Sequence, residues 1–239
     1  PWHRAAMTQL IDSLSWHWRE RMDCYIGGNM FVYYSVRQAR NQDFRGPDFF
    51  VVKNVERYRD RKYWAIWDED ARLPDMILEL ASPTTAEIDR TVKKDLYERT
   101  FRTGNYFCFD PATGRLDGWK LGPSGYAAID ADERGWLWSN ELQLWLGTWH
   151  GEYWGITADW PRFFTHDGEL VRTAAGGEAR RAEAEARRAE AEARRAEAEA
   201  RRAEAETRRA EVAEAEVERL RNELHAIRAR QMDGTAGTD

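Results

Sequence analysis

The sequence predicts a mixed α/β domain, with a sheet flanked by helices, followed by a long C-terminal α-helix. Three observations lead there. All 12 Trp, 9 Tyr and 9 Phe precede Gly176, so the first part can bury a sizeable core and the remainder cannot. Helical and strand periodicities alternate along that first part, the pattern of a sheet with helices packed on it. From Arg180 the unit Arg-Arg-Ala-Glu-Ala-Glu-Ala recurs every seven residues, at Arg187, Arg194 and Arg201. The boundaries expected are a domain over 1–175, a heptad helix over 178–231 and a flexible tail over 232–239.

Each element has its own signal. Met7, Leu10, Ile11, Leu14 and Trp18 recur at three- and four-residue spacing and predict an amphipathic helix over 3–18. The Gly27-Gly28-Asn29 turn leads into a strand over 30–34. Apolar runs predict strands over 49–52, 63–67 and 76–81. Pro83-Thr84-Thr85 breaks the last of these and offers a cap for a helix over 86–101. Tyr106–Phe109 reads as a buried strand, and 116–121 with 126–129 reads as a hairpin around Gly122-Pro123-Ser124-Gly125. The Trp-rich stretch 135–160 gives no clear period. Gly176-Gly177 marks a hinge before the heptads.

From Glu178 onward the chain holds 14 Arg and 16 acidic residues. Ala, Glu and Arg favour helix, and Glu183 can pair with Arg187 one turn on. An alanine seam buries little area, so a solvated single helix and a coiled coil are both open for this part. Val217, Leu220, Leu224 and Ile227 form the better stripe for a second copy or a partner helix.

Composition excludes some classes of function. The net charge is −6, so nucleic acid would not be bound by a bulk basic field. No segment has the apolar length of a membrane span. The two cysteines, Cys24 and Cys108, show no zinc spacing. A cytoplasmic location is the expectation. Chemistry must therefore reside in a local site. Asp48 stands at the mouth of the strand Phe49–Val52, and Asp75 and Glu79 share one face of the next strand. A carboxylate inside an apolar strand is costly unless it is paired or binds a metal. Asp89, Lys93 and Tyr97 fall four residues apart on the following helix, on a face that can lean over Asp48 and Glu79. Two hard carboxylates suit Mg²⁺, with Mn²⁺ as a substitute, and a neighbouring ammonium can orient water or stabilise developing charge. The plainer alternative is a turn-capping acid and an ordinary helix ion pair. Arg57, Arg59, Arg61 and Lys62 could touch phosphates, although the interleaved Glu56 and Asp60 favour a solvated loop. His150 and His166 have no partner at ligand spacing.

The stretch 3–173 resembles the Uma-two restriction endonuclease family of the PD-(D/E)XK superfamily. The pieces that carry the resemblance are GNMFVYY, GPDFFVV, PDMILELASPTT, the Asp89–Lys93–Tyr97 spacing, NYFCFDP and LWSNELQLWLG. It implies a restriction-endonuclease-like core, a divalent metal held by Asp48 and Glu79, and Lys93 acting in place of the strand lysine that Glu79-Leu80-Ala81 lacks. Asp75, Asp89 and Tyr97 are expected to support the site. Family members carry residues upstream of His3, including an acid, so the N-terminus is expected to be incomplete. They also tend to have Glu where Asn105 stands. The function implied is Mg²⁺-dependent hydrolysis of DNA phosphodiester bonds. The alternative is a catalytically silent relative that binds a partner and is organised by its helical tail.

Overall fold

The computed structural model describes residues 1–37, 45–81 and 89–235, with only the backbone described at 89 and 225–235. Two compact units divide at Glu178/Ala179. The first opens with helix α1 (Trp2–His17), whose Leu10 and Leu14 are buried as the periodicity predicts, joined by Ala5 and Ala6, while Met7 and Ile11 are only partly buried. Strands β1 (Cys24–Gly27), β2 (Val32–Tyr33), β3 (Phe49–Lys53), β4 (Trp64–Ala65) and β5 (Met76–Leu80) follow. The predicted strands over 30–34 and 63–67 shrink to the two-residue parallel pair β2–β4. A 3₁₀ turn (Ile66–Asp68) replaces the end of the second. The predicted cap at Pro83-Thr84-Thr85 and the start of the next helix lie outside the described residues.

Helix α2 runs as Asp89–Lys93 and Tyr97–Phe101 in the wide π form, with Lys94–Leu96 α-helical between them. Its last residue is followed by Arg102 in the left-handed region, which ends the helix. Then come β6 (Asn105–Asp110), the hairpin β7 (Arg115–Gly122) and β8 (Gly125–Ala128), and the meander β9 (Leu137–Ser139), β10 (Leu144–Tyr153) and β11 (Ile156–Phe164).

The main sheet has the order β1-β3-β5-β6-β7-β8, antiparallel except for β5–β6. That one parallel pair needs a crossover, and α2 lies in the connection. Strict alternation along the strands divides two cores. Phe49, Val51, Met76, Leu78, Phe107 and Phe109 face α1 and the meander. Phe50, Val52, Ile77 and Tyr106 face the other way, toward Tyr97 and Phe101 of α2 and Trp64. The domain is thus three layers, and the α2 side is the one that bears the candidate chemistry.

Helix α3 (Ala174–Thr235) begins before the expected hinge. Gly176-Gly177 lies in its first turn instead of breaking it. A Cβ on Gly177 would sit 2.1 Å from the Trp16 indole nitrogen, so glycine here permits close approach to α1. Ion pairs of the predicted one-turn kind form at Glu197–Arg201, 2.5 Å. Helix persists through Thr235 of the expected flexible tail, and 236–239 lie outside the described residues.

Because the first unit contains both apolar cores, deleting 179–239 is expected to move its melting temperature by no more than about 2 °C. Circular dichroism of the truncated chain checks this, and aggregation or a large drop in melting temperature would refute it.

Candidate active site

Glu79 is the organising residue. It is fully buried within β5, between Leu78 and Leu80, and points to the α2 side. The Tyr97 hydroxyl donates to its Oε1 at 2.7 Å, and the Lys93 ammonium lies 3.1 Å from its Oε2. Both partners come from α2, so the four-residue spacing of Lys93 and Tyr97 converges on one carboxylate although the helix is largely π. Such wide turns recur at functional sites.

Asp48 meets Glu79 through sheet register. Phe49 pairs with Leu78, and continuing that register by one step sets Asp48 opposite Glu79. Opposed residues on neighbouring strands have Cβ atoms about 5 Å apart. Asp48 Oδ2 accepts the Leu80 backbone N–H at 2.8 Å, which pins the carboxylate to the end of β5. Its Oδ1 lies 3.0 Å from Nε2 of His3, in the first turn of α1. The hydrogen bond to Asp48, reinforced by the negative charges of Asp48 and Glu79, holds the His3 imidazole above its ordinary range despite partial burial. Nothing in the sequence signalled this contact. His3 and Asp48 are joined only by the tertiary fold, and a single histidine on a helix carries no partner information.

The other expected residues fall elsewhere or outside view. Asp75 shares the face of Glu79 but lies four residues away, about 13 Å along the strand. There its Oδ2 accepts the Lys53 N–H at 2.7 Å, so it does not join the Asp48–Glu79 group. The side chain of Asp89 is outside the described residues. Asn105 pairs with Met76, also at the far end of β5. Its Oδ1 accepts Ser139 Oγ at 2.9 Å and the Glu141 N–H at 3.1 Å, so the family's glutamate at this position would not reach Glu79.

The basic loop is structural. Arg57 donates to the carbonyls of Ser15, Trp18 and Arg21, closing the end of α1, and Arg61 grips Glu69 with two hydrogen bonds of 2.8 and 3.0 Å. His150 pairs with the exposed Asp159. A further pairing missed in the sequence is Arg90 with Asp117, 2.9 Å, on the same cross-strand row as Glu79 and Cys108.

Burial pushes the Asp75 carboxyl up, against the Lys53 N–H that lowers it. The folded protein therefore retains a proton that the unfolded chain has lost, and stability falls as pH rises above the ordinary aspartate value of about 3.9. Asp75→Asn keeps an oxygen for the Lys53 N–H and removes the titration. Its melting temperature should exceed that of the wild type at neutral pH, with the gap closing as pH falls toward 4. A gap independent of pH would contradict this.

A family model described as "Putative restriction endonuclease", Uma2, matches residues 1–150. The chain belongs to the Uma2 family. All of His3, Asp48, Glu79, Lys93 and Tyr97 lie inside the Uma2 match, whereas α3 lies outside it. Among solved structures, a putative nuclease belonging to DUF820 from Anabaena variabilis ATCC 29413 is 12% identical with a TM-score of 0.44, over 59% of this chain and 73% of that one. No curated protein matches the chain. Among the described residues, no helix is long and apolar enough to cross a membrane.

Proposed function

We propose that this Uma2 protein is a metal-dependent endonuclease that hydrolyses DNA phosphodiester bonds at Asp48, Glu79 and Lys93. One observation supports this most: a fully buried glutamate in an apolar strand, opposite a second acid and touched by a lysine and a tyrosine from one helix. A group of this kind is expensive to fold and serves no packing purpose.

The donor set fits Mg²⁺ or Mn²⁺. Among the described residues no three His, Cys, Asp or Glu side chains are grouped to hold a metal ion. Mg²⁺ needs only one or two carboxylates, since water and substrate phosphate complete its shell. Asp48 and Glu79 would hold it. When bound, such an ion polarises the phosphoryl oxygen and lowers the pKa of water.

The protein's own residues supply position and charge. The Leu80 N–H fixes Asp48, and the Tyr97 hydroxyl fixes Glu79. Lys93 retains partial exposure, so its ammonium can face both Glu79 and an approaching phosphate. There it orients a water or offsets the negative charge that develops on the phosphoryl oxygens.

The test is incubation of the full-length protein with plasmid DNA in Mg²⁺, in Mn²⁺ and in chelator. Nicking or cutting should appear with either metal and vanish with chelator. Cleavage that persists in chelator overturns the metal mechanism.

A second reading has its own support. Each carboxylate already has compensating partners, His3 for Asp48 and Lys93 with Tyr97 for Glu79. In that reading the fold is catalytically silent and binds a partner, with the tail organising an assembly. Val217, Leu220 and Leu224 are about half exposed along α3 and are the residues through which a second copy or partner helix would associate. The side chain of Ile227 is outside the described residues. Absence of both cleavage and metal-induced heat in calorimetry would favour this reading.

A further inference from the structure

The α1 side of the sheet, away from Glu79, contains a cavity of about 190 Å³ between α1, β10–β11 and the first turn of α3. Gln9, Trp149, Glu152, Arg162, Arg172 and Thr173 are among its lining residues.

Two of these are polar groups buried almost completely. Arg162 is 4% exposed and Gln9 is 1% exposed. Arg162 donates through Nη2 to the Val171 carbonyl at 2.8 Å and lies 5.3 Å from the Trp149 ring. Its Nε is buried with no hydrogen-bond partner, and so is Oε1 of Gln9. A guanidinium is costly to bury without a counter-charge, and orphaned buried donors are rare in folded proteins. Among the described residues no carboxylate forms an ion pair with Arg162.

The surroundings of the cavity carry both signs. Thr173 stands just before the 62-residue helix α3, and its hydroxyl accepts the Gly176 N–H. The positive end of the helix dipole lies in this region, where Asp12 Oδ2 accepts the Ala174 N–H at 3.2 Å. Arg172 adds a second cation at the rim. Burial lowers the Arg162 pKa to about 10, with the Tyr153 phenol as the charge acting against that. Glu152 is the one acid among the lining residues named above, and it is not among the groups that perturb Arg162.

We propose that this cavity binds a small oxyanion, of the phosphate or carboxylate class, with the Arg162 guanidinium and the Gln9 amide as its inner contacts. The two ligand types share an acceptor oxygen for the guanidinium. Hydrogen phosphate also carries an O–H that can donate to Gln9 Oε1, whereas a carboxylate takes the amide in its flipped orientation, with the NH₂ group donating. The Trp149 ring lies over the guanidinium and removes water from that face of it. The site is separate from the Asp48–Glu79 group, and the proposal does not depend on nuclease activity.

The experiment uses the full-length protein, titrated with sodium phosphate and with sodium acetate at constant ionic strength in chloride. Calorimetry and thermal melting are the readouts. At least one of the two anions should bind at a single site and raise the melting temperature above the chloride control. A response to phosphate alone assigns the phosphate class, and one to acetate assigns the carboxylate class. Arg162→Met and Gln9→Leu should each weaken binding by at least about tenfold, the loss expected for a hydrogen bond to a charged group.

In chloride alone, Arg162→Met should melt at or above the wild type, because it removes a buried charge without a counter-ion. A purely structural arginine would instead melt lower in every buffer. Should Arg162→Met fail to fold, Gln9→Leu reads the anion response in its place. No response to either anion beyond chloride, or an unchanged response in Gln9→Leu, also overturns it.

Discussion

Glu79→Gln is expected to reduce DNA cleavage by at least about 10²-fold while leaving the domain folded. Glutamine has nearly the same shape, and its amide oxygen can still accept from the Tyr97 hydroxyl. What it loses is the negative charge that faces Lys93 at 3.1 Å and would face a cation. Glu79→Ala is expected to do more. It abolishes cleavage and also strands the buried Tyr97 hydroxyl and the largely covered Lys93 ammonium. Breaking a buried pair in this way costs about 3–5 kcal/mol. Lys93 keeps some solvent, so about 3 kcal/mol is the better figure here, a fall of about 6–12 °C in melting temperature for a domain of this size. Plasmid nicking together with thermal melts separates the two effects. A Glu79→Gln protein that cleaves at the wild-type rate would remove Glu79 from the chemistry and leave it a structural acid.

Glu79 and its helix partners were legible in the sequence because their chemistry conflicts with their surroundings. One acid among Met76, Ile77, Leu78 and Leu80 requires a partner, and a lysine and a tyrosine one turn apart can reach one point together. That inference survived the change from α to π geometry. The wide turn alters which residues stack along the helix but still brings Lys93 and Tyr97 to the same carboxylate. Asp48 was legible as an acid at a strand mouth, and register was needed to set it opposite Glu79. Asp75 shows the limit of alternation, which fixes the face of a strand but not the end. His3 was not legible, because its partner lies on a different element.

The parts of the fold that escaped reading did so for local reasons. Glycine and proline usually signal turns, yet β10 contains Gly147 and Gly151 and β11 contains Pro161. Gly147 occupies the place where the Trp136 ring lies across the backbone, and a Cβ there would be 2.3 Å from the indole. Gly151 makes the same room for Trp149. Pro161 is tolerated because β11 is an edge strand of its sheet. The meander therefore replaces alternating apolar residues with rings lying over glycines, which erases the period that a strand would otherwise show.

Gly28→Ala should damage the site from a distance. Gly28 follows β1 and touches no candidate side chain, but a Cβ there would lie 2.1 Å from the Asp48 carbonyl oxygen and 3.1 Å from the Met7 Cγ. The obstacle is backbone, so no rotamer change relieves it. The next residue, Asn29, donates its N–H to the Pro47 carbonyl at 2.8 Å, so this turn is the frame on which Pro47 and Asp48 rest. Relief requires Asp48 to move away from Gly28, which disturbs its bond to the Leu80 N–H and its contact with His3. Overpacking of this kind costs about 1–3 kcal/mol, and a rigid obstacle belongs at the upper end. A displacement of about 1 Å in a reacting group can lower the rate by about 10²-fold. Gly46→Ala is the matched control. It lies in the same region, but the nearest atom to its Cβ would be 3.6 Å away, an ordinary contact, so stability should change by less than about 0.5 kcal/mol and cleavage little. Melting and cleavage measured on both variants decide the matter. If Gly28→Ala behaves like Gly46→Ala, Asp48 is not held in place by this turn.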